Sequence, residues 1–394
     1  MDNIKKLVKK YEEEVIKIRR DLHKHPEVGF DLARTSKKVA NILNELGFEV
    51  KTEIGKTGVV GIIEGNNDGP TIALRADMDA LPMEEKTDLD FASVEKGKMH
   101  ACGHDGHTAI LLGVAMVLAE IKDKLRGNVK LIFQPAEEGP GGAEPMIEDG
   151  VMDAPKVDAI LGLHIWLEMD AGKVGVKKGP LFASIDEVDI KIKGDSSHGA
   201  SPHQGVDAIT TAAEVINSLQ SIVSRKIDPI DSAVVTIGKI EGGYVRNVIA
   251  DEVNLEGTIR ALNPEVRKQL EDEIRKKVKN ICLASDADYE IDYRHMYPPL
   301  VNDKDITDLV KENAIKVMKS ENVIDVKEPT MGGEDFAYFL KEVPGTFFLL
   351  GGRNEEKGIT AAHHNTHFTF DEDIMTDGIE IMIKSVLDFL ERNE

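Results

Sequence analysis

Only two cysteines, Cys102 and Cys282, occur in the 394 residues, and they lie far apart. That excludes a disulfide framework and leads us to expect a reducing compartment. Long hydrophobic runs are also missing, since no apolar stretch approaches the length of a membrane span. The N-terminus enters a charged amphipathic segment without the apolar stretch of a signal peptide, so a cytoplasmic location is expected. Positive charge is in deficit: 49 Lys and Arg stand against 71 Asp and Glu, a formal charge of −22. An acidic surface of this kind is soluble and repels phosphate backbones and anionic lipid heads, which argues against nucleic acid and membranes as partners. No low-complexity tract, Pro/Ser-rich linker or internal repeat appears. Neither GxSxG nor HExxH occurs, which removes serine α/β-hydrolases and one large metalloprotease class. Gly55-Lys-Thr lacks the upstream glycine of a P-loop, and the glycines at 139–142 lack dinucleotide-site spacing.

What is present fits an ordinary globular protein of two or three domains, with 41% hydrophobic and 30% charged residues. Leu7, Tyr11, Ile18 and Leu22 recur at helical spacing and predict a helix over 3–24. Short apolar runs at 58–63, 71–77, 128–134 and 159–165 read as strands, and 106–121 reads as a long apolar helix. Strands alternating with helices predict an α/β fold, a mainly parallel sheet with helices on both faces. From residue 183 the order becomes strand (187–194), helix (205–224), two strands (232–241, 250–261), helix (264–284) and strand (288–297). This β-α-β-β-α-β order is the ferredoxin-like α+β plan and is self-contained. After it, a helix at 303–320, a strand at 345–351 and a helix from 376 resume the first pattern. We therefore expect a discontinuous first domain, 1–182 and 296–394, interrupted by an inserted domain, 183–295. Cys282, in a stripe with Ile274, Val278 and Ile281, is expected to be a buried small hydrophobe.

Chemistry-bearing residues fall at the ends of the predicted strands. Asp77 and Asp79 end one, Glu137 and Glu138 another, and His164 a third. His100, Cys102, His104, Asp105 and His107 precede the long helix, and His363 and His364 lie in a C-terminal loop. Carboxyl ends of strands line the ligand crevice in parallel α/β sheets, so five segments would deliver metal-ligand side chains to one edge. A thiolate with imidazoles and carboxylates suits zinc, with cobalt, manganese and nickel as competitors. The candidates outnumber the ligands of one tetrahedral ion, whereas two ions about 3.5–4 Å apart, sharing a ligand and a water, would use them all. Of the adjacent glutamates, one can ligate while the other acts as general base toward water and later as acid toward the leaving nitrogen. Asp79 is expected to fix a ligating imidazole. His107 has two readings, orienting a neighbour or touching substrate, and His23, His25 and His100 receive no role. A nucleophilic Cys102 is the rival enzyme reading, and it leaves the other clusters without a purpose.

Seven co-linear stretches make the chain resemble the M20 family of metallo-aminoacylases and carboxypeptidases, in the branch of hippurate hydrolases and indoleacetyl-amino-acid hydrolases. They are RRDLHKHPE at 19–27, LRADMDALP at 74–82, MHACGHDGH at 99–107, QPAEE at 134–138, SHGA at 197–200, GGEDFAY at 332–338 and HNTHF at 364–368. The resemblance implies that Cys102 bridges two metals and that His104, Glu138, His164 and His364 complete their sites. It implies Glu137 as general base, Asp79 as the orienting aspartate and His198 as the group steadying the oxyanion. Asn247 and Arg260 would hold the substrate's α-carboxylate, which suits a planar guanidinium. The insertion would be a lid and dimerisation domain, giving a homodimer or dimer-based oligomer. The implied reaction is two-metal cleavage of N-acyl-L-amino acids, with short-peptide carboxypeptidase or dipeptidase and N-acetyl-diaminopimelate deacetylase as alternatives. A metal- or peptide-binding protein without activity is the more distant alternative, against which an intact Glu137 argues. The chain departs from the wider family at Asp77, where a histidine ligand is usual, and at Thr366, where proline is frequent.

Overall fold

The computed structural model describes residues 2–393, which form two compact units. One comprises Met1–Gly179, Val301–Lys327 and Tyr338–Glu394, and the other Pro180–Leu300 with Glu328–Ala337.

The first unit is built on an eight-stranded sheet. Its order is Glu49–Ile54, Gly58–Glu64, Arg126–Gln134, Asn67–Asp77, Ala159–Asp170, Gly345–Arg353, Val174–Val176, Val323–Asp325. The four strands at its heart, from Arg126–Gln134 to Gly345–Arg353, run parallel, while the first two strands pair antiparallel. Those four parallel strands are buried almost throughout, as expected where a sheet is covered on both faces. Ile72, Leu74, Leu161, Leu163, Phe348 and Leu350 share one core with the long helices. Residues of the opposite parity, including Ile132, Ile160 and Phe347, are buried on the other face. There the short helix Ala143–Glu148 brings Met146 against Gly58.

Helix Asp2–Lys24 buries Val8, Val15, Ile18 and Leu22, one stripe at helical spacing, and packs on helix His104–Ile121. The latter is buried nearly all round, which marks a helix enclosed by others. Pairing between Asn67–Asp77 and Ala159–Asp170 stops at Arg75 and Gly162, so the two strands part just before Asp77 and His164. That splaying opens the crevice at the carboxyl ends.

The second unit has a four-stranded antiparallel sheet in the order Asp288–His295, Asp186–Lys193, Glu252–Ala261, Ala233–Gly242. This is the ferredoxin-like order. Helices Ala208–Lys226 and Pro264–Ala284 cover one face, burying Val215, Leu219, Ile274, Val278 and Cys282 against Val188, Ile190 and Leu255. Asp207 and Asn263 cap the two helices, each accepting a backbone N–H at 2.9 Å. The sheet carries cross-strand ion pairs such as Arg294–Glu187 at 3.1 Å and Lys239–Glu256 at 2.7 Å.

Candidate metal centre

Asp77 and Asp79, two residues apart at one strand end, have different environments. The Asp77 carboxylate accepts from Arg75 Nη1 at 2.6 Å and sits 2.6 Å from His107 Nδ1. Burial alone would raise its pKa, but the surrounding His104, His107 and Arg75 hold it well below the carboxylate range. His107 in turn accepts the Ile165 N–H on Nε2 at 2.9 Å, so both its ring nitrogens are committed. His107 thus links Asp77 to the strand just beyond His164. Asp79 instead accepts the backbone N–H groups of Glu137 at 3.0 Å and Glu138 at 3.1 Å, and its Oδ1 lies 3.4 Å from His104 Nδ1. One carboxylate thus fixes the glutamate pair and faces an imidazole. Burial pushes the Asp79 pKa up.

Cys102 and His104 flank Gly103, whose φ of +92° turns the chain into the helix that His104 begins. Two non-glycine residues here also take left-handed backbone, Ala136 (φ 56°), immediately before Glu137, and His364 (φ 60°). Such conformations are costly and cluster at functional sites. The His364 N–H donates to Ala101 O at 2.8 Å, which ties the C-terminal loop to the Cys102 turn.

The side chains converge. Donor atoms of Cys102, His104 and His164 lie within 4.8 Å of one another, and so do those of Cys102, Glu138 and His364. His104 with Glu137 and Glu138 forms a further group of the same size. The Cys102 sulfur is 3.5 Å from His164 Nε2, and His364 Nε2 is 3.1 Å from Glu138 Oε1. His363, by contrast, lies with Nε2 2.8 Å from the Ile165 carbonyl, its ring 5.0 Å from that of Trp166.

These residues fit a pair of cations. His104 is fully buried, yet neither ring nitrogen has a hydrogen-bond partner among the described residues. Burial should lower its pKa, but Asp77, Asp79 and Glu138 carry it up to about 10. A site that holds a proton on a buried imidazole this strongly is a site short of positive charge. Burial pushes the Cys102 thiol well up, and Glu138, Glu137 and Asp77 push it further. That opposes a free thiolate nucleophile, which needs a lowered pKa, while thiolate, imidazole and carboxylate together suit zinc.

The remaining candidates lie in the second unit. His198 is exposed and forms an isolated bridge with Val248, while the Gly199 N–H donates to Asn247 O at 2.8 Å, so His198 and the exposed Asn247 are neighbours. Arg260 is half-buried, donates to Ile259 O at 3.0 Å and to Thr258, and makes no ion pair with a carboxylate among the described residues. Burial lowers its pKa.

Two histidines given no role from sequence belong to the surroundings of this centre. His23 is buried with Nδ1 2.8 Å from Asp105 Oδ2 and Nε2 3.2 Å from Glu85 Oε1, and Arg19 shares that Asp105 oxygen at 2.8 Å. Arg19 and His23 stand four apart beside the apolar stripe of their helix, the one sequence signal that both turn inward. His100 is buried with both ring nitrogens unpartnered among the described residues.

The sequence profile of Peptidase family M20/M25/M40 matches residues 73–388. Thermostable carboxypeptidase 1 of Saccharolobus solfataricus is 43% identical, covering 96% of this chain and 96% of its own length. N-acetyl-L-cysteine deacetylase of Bacillus subtilis is also 43% identical, covering 97% of this chain and 90% of its own. Among solved structures, the YxeP protein of Bacillus subtilis, a dinuclear metal binding peptidase, superposes with a TM-score of 0.84 at 36% identity over 97% of this chain and 99% of that one.

Proposed function

The chain belongs to peptidase family M20/M25/M40 and is a metal-dependent hydrolase, and from that premise we propose that it cleaves N-acyl-L-amino acids to a carboxylic acid and a free amino acid. The observation that carries the reading is the Cys102 sulfur, shared by two donor triads beside Glu137. Cys102, His104 and His164 would hold one divalent ion, and Cys102, Glu138 and His364 the other. Zinc suits this donor set best, with manganese, cobalt or nickel able to replace it. Bound there, the ions supply Lewis-acid polarisation of the scissile carbonyl and a lowered pKa for water.

The chain's own groups do the rest. Glu137, its backbone N–H pinned by Asp79, takes the proton from water and returns it to the departing nitrogen. Asp79 would keep the His104 ring turned with Nδ1 toward its carboxylate, 3.4 Å away, leaving Nε2 free to hold an ion. The second unit acts as lid and dimerisation domain of a homodimer, with His198 donating to the developing oxyanion. Arg260, a guanidinium without a carboxylate partner among the described residues, and Asn247 receive the substrate's α-carboxylate. A peptide bond beside a free carboxylate is chemically the same target. The carboxypeptidase among the 43%-identical relatives therefore favours short peptides as a second substrate class.

A panel of N-acetyl-amino acids, N-benzoyl-amino acids and dipeptides tests both, run on zinc-loaded protein with and without chelator. Turnover of acyl-amino acids should vanish with chelator and return with metal. Dipeptide turnover alone would overturn the acyl-amino-acid reading, and chelator-resistant turnover would overturn the metal chemistry.

A further inference from the structure

We propose that Arg19 is a positioning residue that holds the His364 segment in register with the Cys102–His104 turn and so sets the affinity of the His364-side metal. The inference rests on the two-metal reading above and adds a residue outside the donor set. Arg19 lies on helix Asp2–Lys24 and is 0% exposed, so it touches no substrate. Its Nε donates to Asp105 Oδ2 at 2.8 Å, its Nη1 to Glu372 Oε1 at 3.0 Å and its Nη2 to Thr369 Oγ1 at 3.4 Å. Asp105 directly follows His104, whereas Thr369 and Glu372 belong to the segment that begins at His364. One planar group therefore spans the two stretches that carry opposite sides of the candidate centre.

The guanidinium lies over the rings of Phe370, 4.4 Å away, and Phe91, 4.7 Å away, which fixes its plane. Arg20 grips the outer oxygen of Glu372 at 2.6 Å. His23 holds the same Asp105 oxygen and reaches Glu85, and the next residue, Lys86, donates its N–H to Thr366 O at 2.8 Å. The network thus grips the His364 loop at two points. His364 needs this support, because its side chain is 54% exposed and its backbone sits at φ 60°.

Stability alone does not explain such a group. A buried ion pair contributes little more than well-packed apolar residues would, so a fully buried arginine joining separate segments points to geometry. Lysine, a point charge, cannot reach three acceptors in a plane.

The test is zinc titration into metal-free protein, read as zinc bound per chain by equilibrium dialysis. Wild type should bind two, and His364→Ala should remove the weaker step. Arg19→Lys should weaken that step roughly 10–100-fold, the range for partners that orient a ligand, and leave the tighter step unchanged. Added to His364→Ala, it should change zinc binding no further. Glu372→Gln, at the outer end of the brace, should shift the same step less, and it decides the matter should Arg19→Lys fail to fold. Lower thermal midpoints with wild-type zinc steps, or equal weakening of both steps, would overturn the proposal. Fewer than two zinc ions on wild type would instead overturn the two-metal reading, and it would show before any variant is made.

Discussion

Along the carboxyl edge of the eight-stranded sheet, Asp77, Asp79, His104 and His107 are all buried, and three of the four are matched by named hydrogen bonds. In the four-stranded unit, His198 and Asn247 stand exposed, brought together by the backbone bond from the Gly199 N–H to Asn247 O. The first arrangement is preorganised: its polar groups were taken out of water during folding, and His104 is left with both nitrogens open. The second carries side chains open to solvent, with His198 Nδ1 accepting the Ala200 N–H at 3.0 Å. Changes at the sheet edge should therefore alter the chemical step and metal binding, and changes in the four-stranded unit should alter substrate recognition.

The sharpest way to break that contrast is Glu137→Gln. It keeps the side chain's size and the backbone bond to Asp79 but removes the base, so kcat should fall by about 10²–10⁴-fold. Zinc per chain should stay at the wild-type value. Full activity would remove Glu137 from the mechanism. Asp79→Asn comes next. Each Asp79 oxygen accepts one of the Glu137 and Glu138 N–H groups, and an amide would turn an NH2 donor toward one of them or toward His104 Nδ1. Zinc affinity should drop roughly 10–100-fold by dialysis. Wild-type affinity would show that the aspartate orients nothing.

How much of this was legible in the sequence depended on the distance over which a signal acts. The strands leading to Asp77 and Glu137 could be read because apolar runs are local, Asn67–Asp77 ending at Asp77 and Arg126–Gln134 just before the glutamates. Helix Asp2–Lys24 was equally plain from its spacing. His164, expected at a strand end, lies instead inside Ala159–Asp170, which runs on because it keeps pairing with Gly345–Arg353. Strand Glu49–Ile54 escaped because it is a solvated edge with almost no buried position, and Val174–Val176 and Val323–Asp325 are too short to show a period. The burial of Arg19 and His23 depends on Asp105 and Glu372, which are remote in sequence, so their place beside the apolar stripe was its only local sign. His198, Asn247 and Arg260 were named by resemblance alone, since exposed polar residues in loops, such as the first two, and a half-buried arginine on a strand have no pattern of their own.

Arg260 tests the other side of the comparison. If it receives the α-carboxylate, Arg260→Ala removes one or two charge-assisted hydrogen bonds made equally in ground and transition states. KM for an N-acyl-amino acid should rise about 10–100-fold, from roughly 1.5–3 kcal/mol of lost binding, with kcat little changed. The matching amide, which lacks the carboxylate, should be indifferent to the substitution. A fall in zinc content or kcat would instead place Arg260 with the groups of the sheet edge.

The smallest effect concerns two buried imidazoles that share one oddity. His100 and His104 both lack hydrogen-bond partners on either nitrogen among the described residues. Carboxylates around His104 override burial and carry it up to about 10, whereas burial takes His100 down to about 3 despite Asp105. His104 is therefore placed to face a cation, and His100 is held neutral. Because the His100 pKa falls from 6.5 unfolded to about 3 folded, the unfolded chain binds the extra proton between those values. Stability from this residue is complete above pH 6.5 and declines as the pH falls toward 3, by roughly 1.4 kcal/mol per unit. His100→Leu removes the titration and the two orphaned nitrogens together. In urea unfolding of metal-free protein, the variant should gain on wild type steadily from pH 7 to pH 5. Parallel profiles would mean that His100 already has a partner when folded, and the distinction between the two imidazoles would then disappear.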